Sequence, residues 1–255
     1  MVRKHATRLI FISLLLIACE GAEESPQVEP AEVVSDPHTA CPNGGEVAVD
    51  QSLQIGQVME GDVDGDGADD RVWLSADPSG PPRCRGFLTV ETEEKTYWAV
   101  TDASEMPSSL QEPLLSSLPN IDGEGGAEIV VNLEAGASTE FVGVFKLTRA
   151  GLERMGVDGR APGPFGGESR DLFAYGGSVG HLEAVDCAGD GLVVMSAALP
   201  SRNDARSYRV ERRFFETGPT SGLSLKRELT ERHTVRDLKV DDFPEFAGSP
   251  FLSCD

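Results

Sequence analysis

Short apolar runs separated by clusters of Gly, Pro, Asp and Ser make up most of the chain after residue 41. The runs are rich in β-branched and aromatic residues, which is typical of β-strands joined by turns. They predict eight strands, over residues 71–76, 86–92, 95–101, 128–134, 140–148, 192–199, 207–216 and 223–235. The helical signal is poor: one short helix is predicted over residues 106–118, and Pro113 weakens it. The predicted fold class is all-β.

The beginning of the chain has a different pattern. Arg3, Lys4 and Arg8 precede an apolar run over residues 9–18, which is too short to span a bilayer as a helix. The run ends in Leu-Ile-Ala followed by Cys19, which resembles the lipobox of bacterial lipoproteins. The resemblance implies a cleaved signal peptide and a lipid on Cys19 that makes the bilayer a partner. An ordinary signal peptide with a chance cysteine is the alternative.

The next segment has the composition of a tether. Residues 20–40 contain six acidic residues, three prolines and no Lys or Arg. We therefore predict a lipoprotein signal peptide at 1–18, the anchor cysteine and an acidic, proline-containing tether at 19–40, and one all-β domain at 41–255. The expected location is the cell envelope, lipid-anchored to the membrane on its extracytoplasmic side.

The cysteines fit an exported protein. Five occur in the chain, and Cys19 is assigned to the anchor. The other four would fold in an oxidising compartment, where an even number of cysteines favours disulfides. Three pairings are possible. We favour Cys41–Cys84 with Cys187–Cys254, because each pair would then fasten one end of the domain.

The charge balance narrows the class of partner. The chain has 43 acidic and 22 basic residues, a net charge of −21. Such a surface repels nucleic acid and anionic lipid headgroups, so we expect no nucleic-acid partner. Solubility outside the cell accounts for most of this charge.

The densest negative charge lies in one turn, GDVDGDGADDRVWL, at residues 61–74. Five of the nine residues from Asp62 to Asp70 are acidic. Calcium takes about six to eight oxygen ligands, and alternating Asp residues on a tight loop direct their carboxylates inward. Counting from Asp62 as position 1, Asp64 and Asp66 stand at positions 3 and 5 and Asp70 at position 9. The spacing predicts a calcium loop.

This loop is not an EF-hand, which needs a bidentate Glu at position 12 and a flanking helix. Position 12 is Trp73, and a predicted strand follows. The alternative is a solvated Asp/Gly turn that holds no ion. Against that alternative stands the mutual repulsion of four converging carboxylates, which a cation would relieve.

Two related segments occur downstream, so the loop belongs to an internal repeat. NIDGEGGAEIVVN at residues 120–132 is the second copy, and DCAGDGLVVMSA at residues 186–197 is a shortened third. The copies begin at residues 62, 120 and 186, and an apolar run follows each. Each unit has room for the loop and three or four strands, roughly one propeller blade or one packed sheet.

The pattern DxDxDGxxD before an apolar strand resembles the calcium loop of FG-GAP repeats, which are VCBS-like and occur in integrin alpha-type β-propellers. The resemblance implies repeated antiparallel sheets in a small or incomplete β-propeller-like domain, with Ca²⁺ as the cofactor. It implies side-chain ligands at Asp62, Asp64, Asp66 and Asp70 and a backbone ligand at Ala68.

The other two copies match this ligand pattern less well. The second copy gives a weaker calcium site, formed by Asn120, Asp122, Glu124 and Glu128. The third copy has Ala188 at position 3 and lacks the last acid, so we expect no metal there.

One further motif suggests another function. Residues 176–180 match Gly-x-Ser-x-Gly, the nucleophile elbow of α/β-hydrolases, with Ser178 as the nucleophile. That motif needs a helix directly after it, whereas an acidic segment follows here. We therefore expect a glycine-rich β-turn, with His181 at its edge, and no catalytic residues.

Aromatic and basic residues in the strands have ordinary interpretations. We expect core positions rather than a glycan-binding face for Trp73, Trp98, Tyr97, Phe214 and Phe215. Arg209 and Arg213 should share one face of their strand, with Arg206 and Arg212 on the other. We expect this basic strand to be a solvated sheet edge, with a docking patch for an acidic partner as the alternative.

The sequence predicts a membrane-anchored extracytoplasmic lipoprotein that acts as a calcium-stabilised binding or interaction module, not an enzyme. Its ligand would be a protein or a glycan. The alternatives are a secreted hydrolase that uses Ser178 and a purely structural envelope protein.

Overall fold

A computed structural model describes residues 32–34, 41, 43–81, 84–101, 113–158, 172–178, 181–189, 191–199, 207–218, 220–234, 246 and 249–254. All of them belong to one unit of the chain, residues 31–255. No helix within these ranges is long and apolar enough to cross a bilayer. The predicted signal peptide and Cys19 lie outside the described residues, so the lipid anchor stays a prediction.

Strands dominate the described chain, and the fold is all-β, as predicted. The strands are β1 Glu32–Val34, β2 Gln54–Gly61, β3 Asp70–Ala76, β4 Gly86–Glu91, β5 Lys95–Val100, β6 Leu114–Ser117, β7 Ile129–Ala135, β8 Thr139–Thr148, β9 Gly151–Arg154, β10 Gly156–Asp158, β11 Phe173–Ser178, β12 His181–Cys187, β13 Gly191–Ala198, β14 Ser207–Thr217 and β15 Gly222–Thr234. A short helix, α1 Gly44–Val49, and a single 3-10 turn, Gln51–Leu53, precede β2. The eight predicted strands correspond to β3, β4, β5, β7, β8, β13, β14 and β15.

The strands form two sheets. The first has the order β1-β5-β4-β3-β2, and the second has the order β10-β15-β14-β13-β12-β11-β8-β7-β6, with β9 also paired to β8. Pairing is antiparallel except for β1 with β5 and β10 with β15. Over the described residues the sheets close into neither a barrel nor a propeller ring. The propeller-like arrangement therefore stays a prediction.

The three acidic segments occupy the same place in the topology. Each connects the first two strands of a four-stranded antiparallel meander, formed by β2–β5, β6–β9 and β12–β15. In each meander, consecutive strands are hydrogen-bonded neighbours, which is the arrangement that short turns favour.

An apolar core fills the space between the two sheets, and we call it the inter-sheet core. It consists of Val63, Val72, Leu74, Leu88, Val90, Ala99, Ile129, Val131, Leu133, Phe145, Leu152 and Leu172. Val130, which lies between Ile129 and Val131, belongs to a second core on the opposite face of the second sheet. Strand β7 is therefore buried on both faces at its start, which explains the uninterrupted apolar run over residues 129–131.

Helix α1 packs on the outer face of the first sheet. The carbonyl oxygen of Ala48 accepts hydrogen bonds from Trp73 Nε1 at 3.1 Å, Ser75 Oγ at 3.1 Å and Thr89 Oγ1 at 3.0 Å. Buried polar groups are costly unless they are hydrogen-bonded. This one carbonyl oxygen is the acceptor for all three buried donors. Trp73 is thereby fixed in the interior, as predicted for the aromatic residues, and not on a glycan-binding face.

Both favoured cysteine pairs lie at disulfide distance. Cys41 and Cys84 have Cα atoms 5.6 Å apart, and Cys187 and Cys254 have Cα atoms 5.3 Å apart. The first pair attaches the segment before α1 to the first sheet, and the second attaches the end of the chain to β12.

Two predictions about local structure were wrong. Within the predicted helix 106–118, residues 114–117 form β6, because pairing with β7 satisfies its backbone in a way that a helix broken at Pro113 would not. Residues 102–112 lie outside the described residues. Of the predicted tether 19–40, only residues 32–34 are described; they form β1 and pair with β5, and the tether stays a prediction.

The second wrong prediction concerns the basic strand β14, which lies between β13 and β15 and is not a sheet edge. Arg209 and Arg213 share a face, as predicted, and both contact Glu211 between them. Arg212 bonds to Glu231 at 2.7 Å. These partners neutralise the arginines, which weakens the alternative of a docking patch.

The first two acidic loops are in direct backbone contact where the sheets meet. Ala127 N–H donates to the carbonyl oxygen of Asp62 at 2.8 Å. A Cβ added to Gly126 would lie 2.5 Å from the carbonyl oxygen of Val63 and 3.3 Å from Gly65 N. The absence of a side chain at Gly126 therefore permits this contact.

Replacing Gly126 should weaken the junction. Gly126→Ala is expected to lower the free energy of unfolding by about 1–3 kcal/mol, because the rigid backbone of the first loop has to move away. Urea denaturation of both proteins measures the change. Gly218→Ala is a suitable control, since its Cβ would meet nothing closer than 3.4 Å. Equal midpoints for the two variants would contradict the packing assigned to Gly126.

Candidate functional site

The first acidic loop, residues 62–70, has a backbone that only glycine tolerates at two points. Gly65 has φ 81° and Gly67 has φ 90°, in the left-handed region where a Cβ is strained. Val63 is buried in the inter-sheet core. The loop is therefore folded back on itself and anchored by its second residue.

Aspartate side chains hold this backbone in place. Asp70 Oδ2 accepts from the backbone N–H groups of Val63 at 2.8 Å and Asp64 at 3.1 Å. Asp62 accepts from Gly65 at 2.7 Å through Oδ1 and from Gly67 at 3.0 Å through Oδ2. Such bonds fix the direction of each carboxylate before any ion arrives.

Two more aspartates are oriented in the same way. Asp64 Oδ1 accepts from Asp66 N at 3.1 Å, and Asp66 Oδ1 accepts from Ala68 N at 2.7 Å. Each of these bonds uses one carboxylate oxygen, which leaves Oδ2 of Asp64 and Asp66 and Oδ1 of Asp70 outside them. Both oxygens of Asp62 accept a hydrogen bond, but each keeps a second lone pair that can bind a cation.

The carboxylates of Asp62, Asp64 and Asp70 converge. Each offers one oxygen, and the three oxygens lie within 4.8 Å of one another. Three hard oxygen donors at this spacing fit calcium, which prefers carboxylate ligands and a flexible geometry. The Asp66 carboxylate and the Ala68 carbonyl stay predictions as further ligands.

The triad is short of positive charge. No described basic side chain forms an ion pair with Asp62, Asp64 or Asp70. Burial raises the pKa of Asp70, and burial together with the charges of Asp66 and Asp62 raises the pKa of Asp64. A bound cation would favour the ionised forms of both carboxylates and so lower their pKa values.

The second acidic loop, residues 120–128, has the same backbone. Gly123 has φ 69° and Gly125 has φ 92°, matching Gly65 and Gly67. Ile121 N–H donates to Glu128 Oε2 at 2.7 Å, as Val63 N–H does to Asp70. The sequence repeat is therefore also a repeat of conformation.

Two more hydrogen bonds of the first loop recur in the second. Gly123 N–H donates to Asn120 Oδ1 at 2.8 Å, and Glu124 N–H donates to Asp122 Oδ1 at 2.9 Å. Burial raises the pKa of Glu128 to about 7, and the neighbouring charge of Asp122 adds to the rise.

The second loop differs in holding a basic side chain. Lys146 Nζ, from β8, contacts Asp122 Oδ2 and lies 3.9 Å from both Glu124 Oε2 and Glu128 Oε1. The sequence did not indicate this, because Lys146 is distant from the loop along the chain. Calcium binding by Asn120, Asp122, Glu124 and Glu128 stays a prediction, and any ion would have to compete with Lys146.

The third copy is a tight turn between β12 and β13. Ala188 N–H donates to the carbonyl oxygen of Gly191 at 2.9 Å, and Asp190 lies outside the described residues. Asp186 accepts from Ser253 through both carboxylate oxygens, at 2.8 Å from N and 2.8 Å from Oγ. This acid holds the end of the chain in place, beside the disulfide of Cys187 and Cys254.

Ser178 stands in a β-hairpin and not in a nucleophile elbow. It is the last residue of β11 and pairs with His181 of β12. The next described element is therefore an antiparallel strand, where the elbow requires a helix. His233 lies on β15 and contacts Glu231 at 3.1 Å. No observation favours the hydrolase alternative.

Two acidic residues that lie near each other on the second sheet were missed, because β12 was not predicted as a strand. Glu183 of β12 lies beside Ser196 of β13, which lies beside Glu211 of β14. Glu211 pairs with Arg209 and Arg213, whereas Glu183 has no ion pair among the described residues. Burial, and then the charge of Glu211, raises the pKa of Glu183 to about 8.

A small cavity lies farther along the same sheet, beside the bulge between Phe214 and Phe215. Its volume is about 430 Å³, and Ala188, Lys226 and Arg227 line it with the two phenylalanines. The Arg227 guanidinium covers the Phe214 ring, 4.0 Å from its centroid. The aromatic surface is thus already occupied by a cation.

Glu183 should make stability fall as pH rises. Its pKa is raised in the folded state, so its contribution is fully present below about pH 4.5 and is lost as pH rises through about 8. Glu183→Gln is expected to remove this dependence and to stabilise the protein at pH 9 by about 2 kcal/mol, allowing for solvent screening. Urea denaturation at pH 5 and pH 9 measures it. Parallel pH profiles for the two proteins would contradict a raised pKa of Glu183.

Comparisons of the chain with protein-family models, with curated proteins and with solved structures found no match. The resemblance to FG-GAP repeats therefore rests on the loops at 62–70 and 120–128 and on the strands that follow them.

Proposed function

We propose that this protein is a lipid-anchored lipoprotein of the cell envelope whose β domain is a calcium-stabilised binding or interaction module. The calcium part rests on one observation above all: oxygens of Asp62, Asp64 and Asp70 lie within 4.8 Å of one another. The anchor rests on the sequence that leads to Cys19.

The repeated meanders support an FG-GAP-like, propeller-like domain. Strands β2–β5 and β6–β9 each form a four-stranded antiparallel unit, and in both the acidic loop joins the first strand to the second. Similar left-handed φ angles at Gly65 and Gly123, and at Gly67 and Gly125, make a chance likeness between the two loops a poor explanation.

Calcium in the first loop would act as a structural ion. It would neutralise Asp62, Asp64 and Asp70, and Asp70 is the first residue of β3. Because the first loop also contacts the second loop through Asp62 and Ala127, the ion would stabilise the place where the sheets meet. The module would then present the rest of its surface to a protein or a glycan.

Calcium binding can be tested on the complete exported chain. Isothermal titration is expected to give one site, with a Kd on the order of 10⁻⁴ M as in extracellular modules. Asp64→Asn should weaken binding at least about tenfold, because it replaces an anionic ligand with a neutral one. It keeps the carbonyl oxygen that accepts from Asp66, so the loop should still fold.

Asp69→Asn is the matched control. Asp69 is an exposed acid of the same loop that lies outside the converging triad, so its removal changes the net charge equally without removing a ligand. Wild-type affinity is expected. Equal weakening by the two substitutions would reduce calcium binding to a general effect of negative charge, and no heat with wild type would refute the site.

The lipid anchor has a separate test. In a bacterial host, the wild-type chain should partition into the membrane fraction with the mass of added acyl chains, because two or more chains anchor a protein stably. Cys19→Ser should lose both the added mass and the membrane association. A variant that stays in the membrane fraction would show that another segment holds it there.

A further inference from the structure

The two acidic loops have the same backbone but different charge compensation. In the second loop, Lys146 Nζ contacts Asp122 and lies 3.9 Å from Glu124 and from Glu128. In the first loop, no described basic side chain forms an ion pair with the converging triad. An ammonium group thus lies among the acids of the second loop.

Strand register identifies the residue that matches Lys146 in the first repeat. Arg71 and Ile129 each directly follow the acid that closes a loop, and they pair with Glu91 and Phe145. Lys146 follows Phe145, so its counterpart is Thr92, which follows Glu91. A positive charge in one repeat corresponds to a neutral hydroxyl in the other.

Thr92 has a local role. Its hydroxyl accepts from the backbone N–H groups of Glu94 and Lys95, each at 3.2 Å. It contributes no charge to the first loop. Among the described residues, therefore, no basic side chain compensates Asp62, Asp64 and Asp70, and a bound cation could.

Two acids of the second loop are too deeply buried for both to stay ionised without a counter-charge. The side chains of Asp122 and Glu128 are each 1% exposed, and that of Lys146 is 16% exposed. Removing one partner of a buried ion pair leaves the other charge uncompensated, and this is strongly destabilising. The ammonium therefore has the electrostatic role that a bound cation has in an open loop.

We propose that Lys146 is the resident cation of the second acidic loop, replacing the divalent ion, and that removing its charge opens a calcium site formed by Asn120, Asp122, Glu124 and Glu128. The proposal rests on the calcium function proposed for the first loop only for its stoichiometry. The wild-type chain then binds one calcium ion, at the first loop.

Calorimetry and thermal melting of the full chain test this, with wild type, Lys146→Met and Lys226→Met. Met preserves the length of the side chain and removes its charge. In EDTA at pH 8, Lys146→Met is expected to melt about 10 °C below wild type, because the ionised, buried Asp122 and Glu128 lose their counter-charge. In excess calcium its melting temperature should recover, and the number of bound ions should rise from one to two.

Lys226→Met is the matched control. Lys226 pairs with Glu216 at an exposed position outside the loops, so it should bind one calcium ion and melt like wild type in EDTA. If Lys146→Met also binds one ion, or if calcium fails to restore its folding, the proposal is overturned.

The outcomes separate this proposal from the calcium site of the first loop. Wild type with no bound ion and Lys146→Met with one would refute the first-loop site and support the role of Lys146. One bound ion in both proteins would support the first-loop site and refute the role of Lys146.

Discussion

Carboxylates brought together in a turn need positive charge, and this requirement governs the place where the two sheets meet. Asp62, Asp64 and Asp70 converge in the first loop, and Asp122 and Glu128 are buried in the second. Repulsion between like charges and loss of hydration both oppose such an arrangement. In the second loop, Lys146 supplies the positive charge. The first has no such partner among the described residues.

The second residue of each acidic loop connects the charged loop to an apolar core. Val63 is buried in the inter-sheet core and Ile121 in the second core. In both cases the backbone N–H group of that residue donates to the acid that closes the loop. Charge compensation, loop conformation and apolar packing are therefore coupled, and the contact between Ala127 and Asp62 extends the coupling from one sheet to the other.

Features set by local patterns could be predicted from the sequence, and those set by register could not. Eight strands, both cysteine pairs and the first loop follow from apolar runs, cysteine positions and Asp/Gly spacing. Strand β2 was missed because Gln54–Gly61 is partly exposed and its apolar and polar residues do not alternate regularly. Strand β6 was missed because four residues give little periodicity. Glu183 and Lys146 could not be assigned roles, since each depends on a strand that lies far away in sequence and adjacent in the sheet.

The two solutions to the same electrostatic problem have different consequences for an exported protein. A lysine is always present, so a loop neutralised by Lys146 keeps its conformation whatever the ion concentration outside the cell. A loop neutralised by a weakly bound divalent ion changes its stability with that concentration by mass action. If calcium binds the first loop as proposed, its concentration would change the stability of the first sheet, to which Asp70 belongs. The second sheet would keep its structure. The module would thus combine a constant framework with one part that responds to calcium.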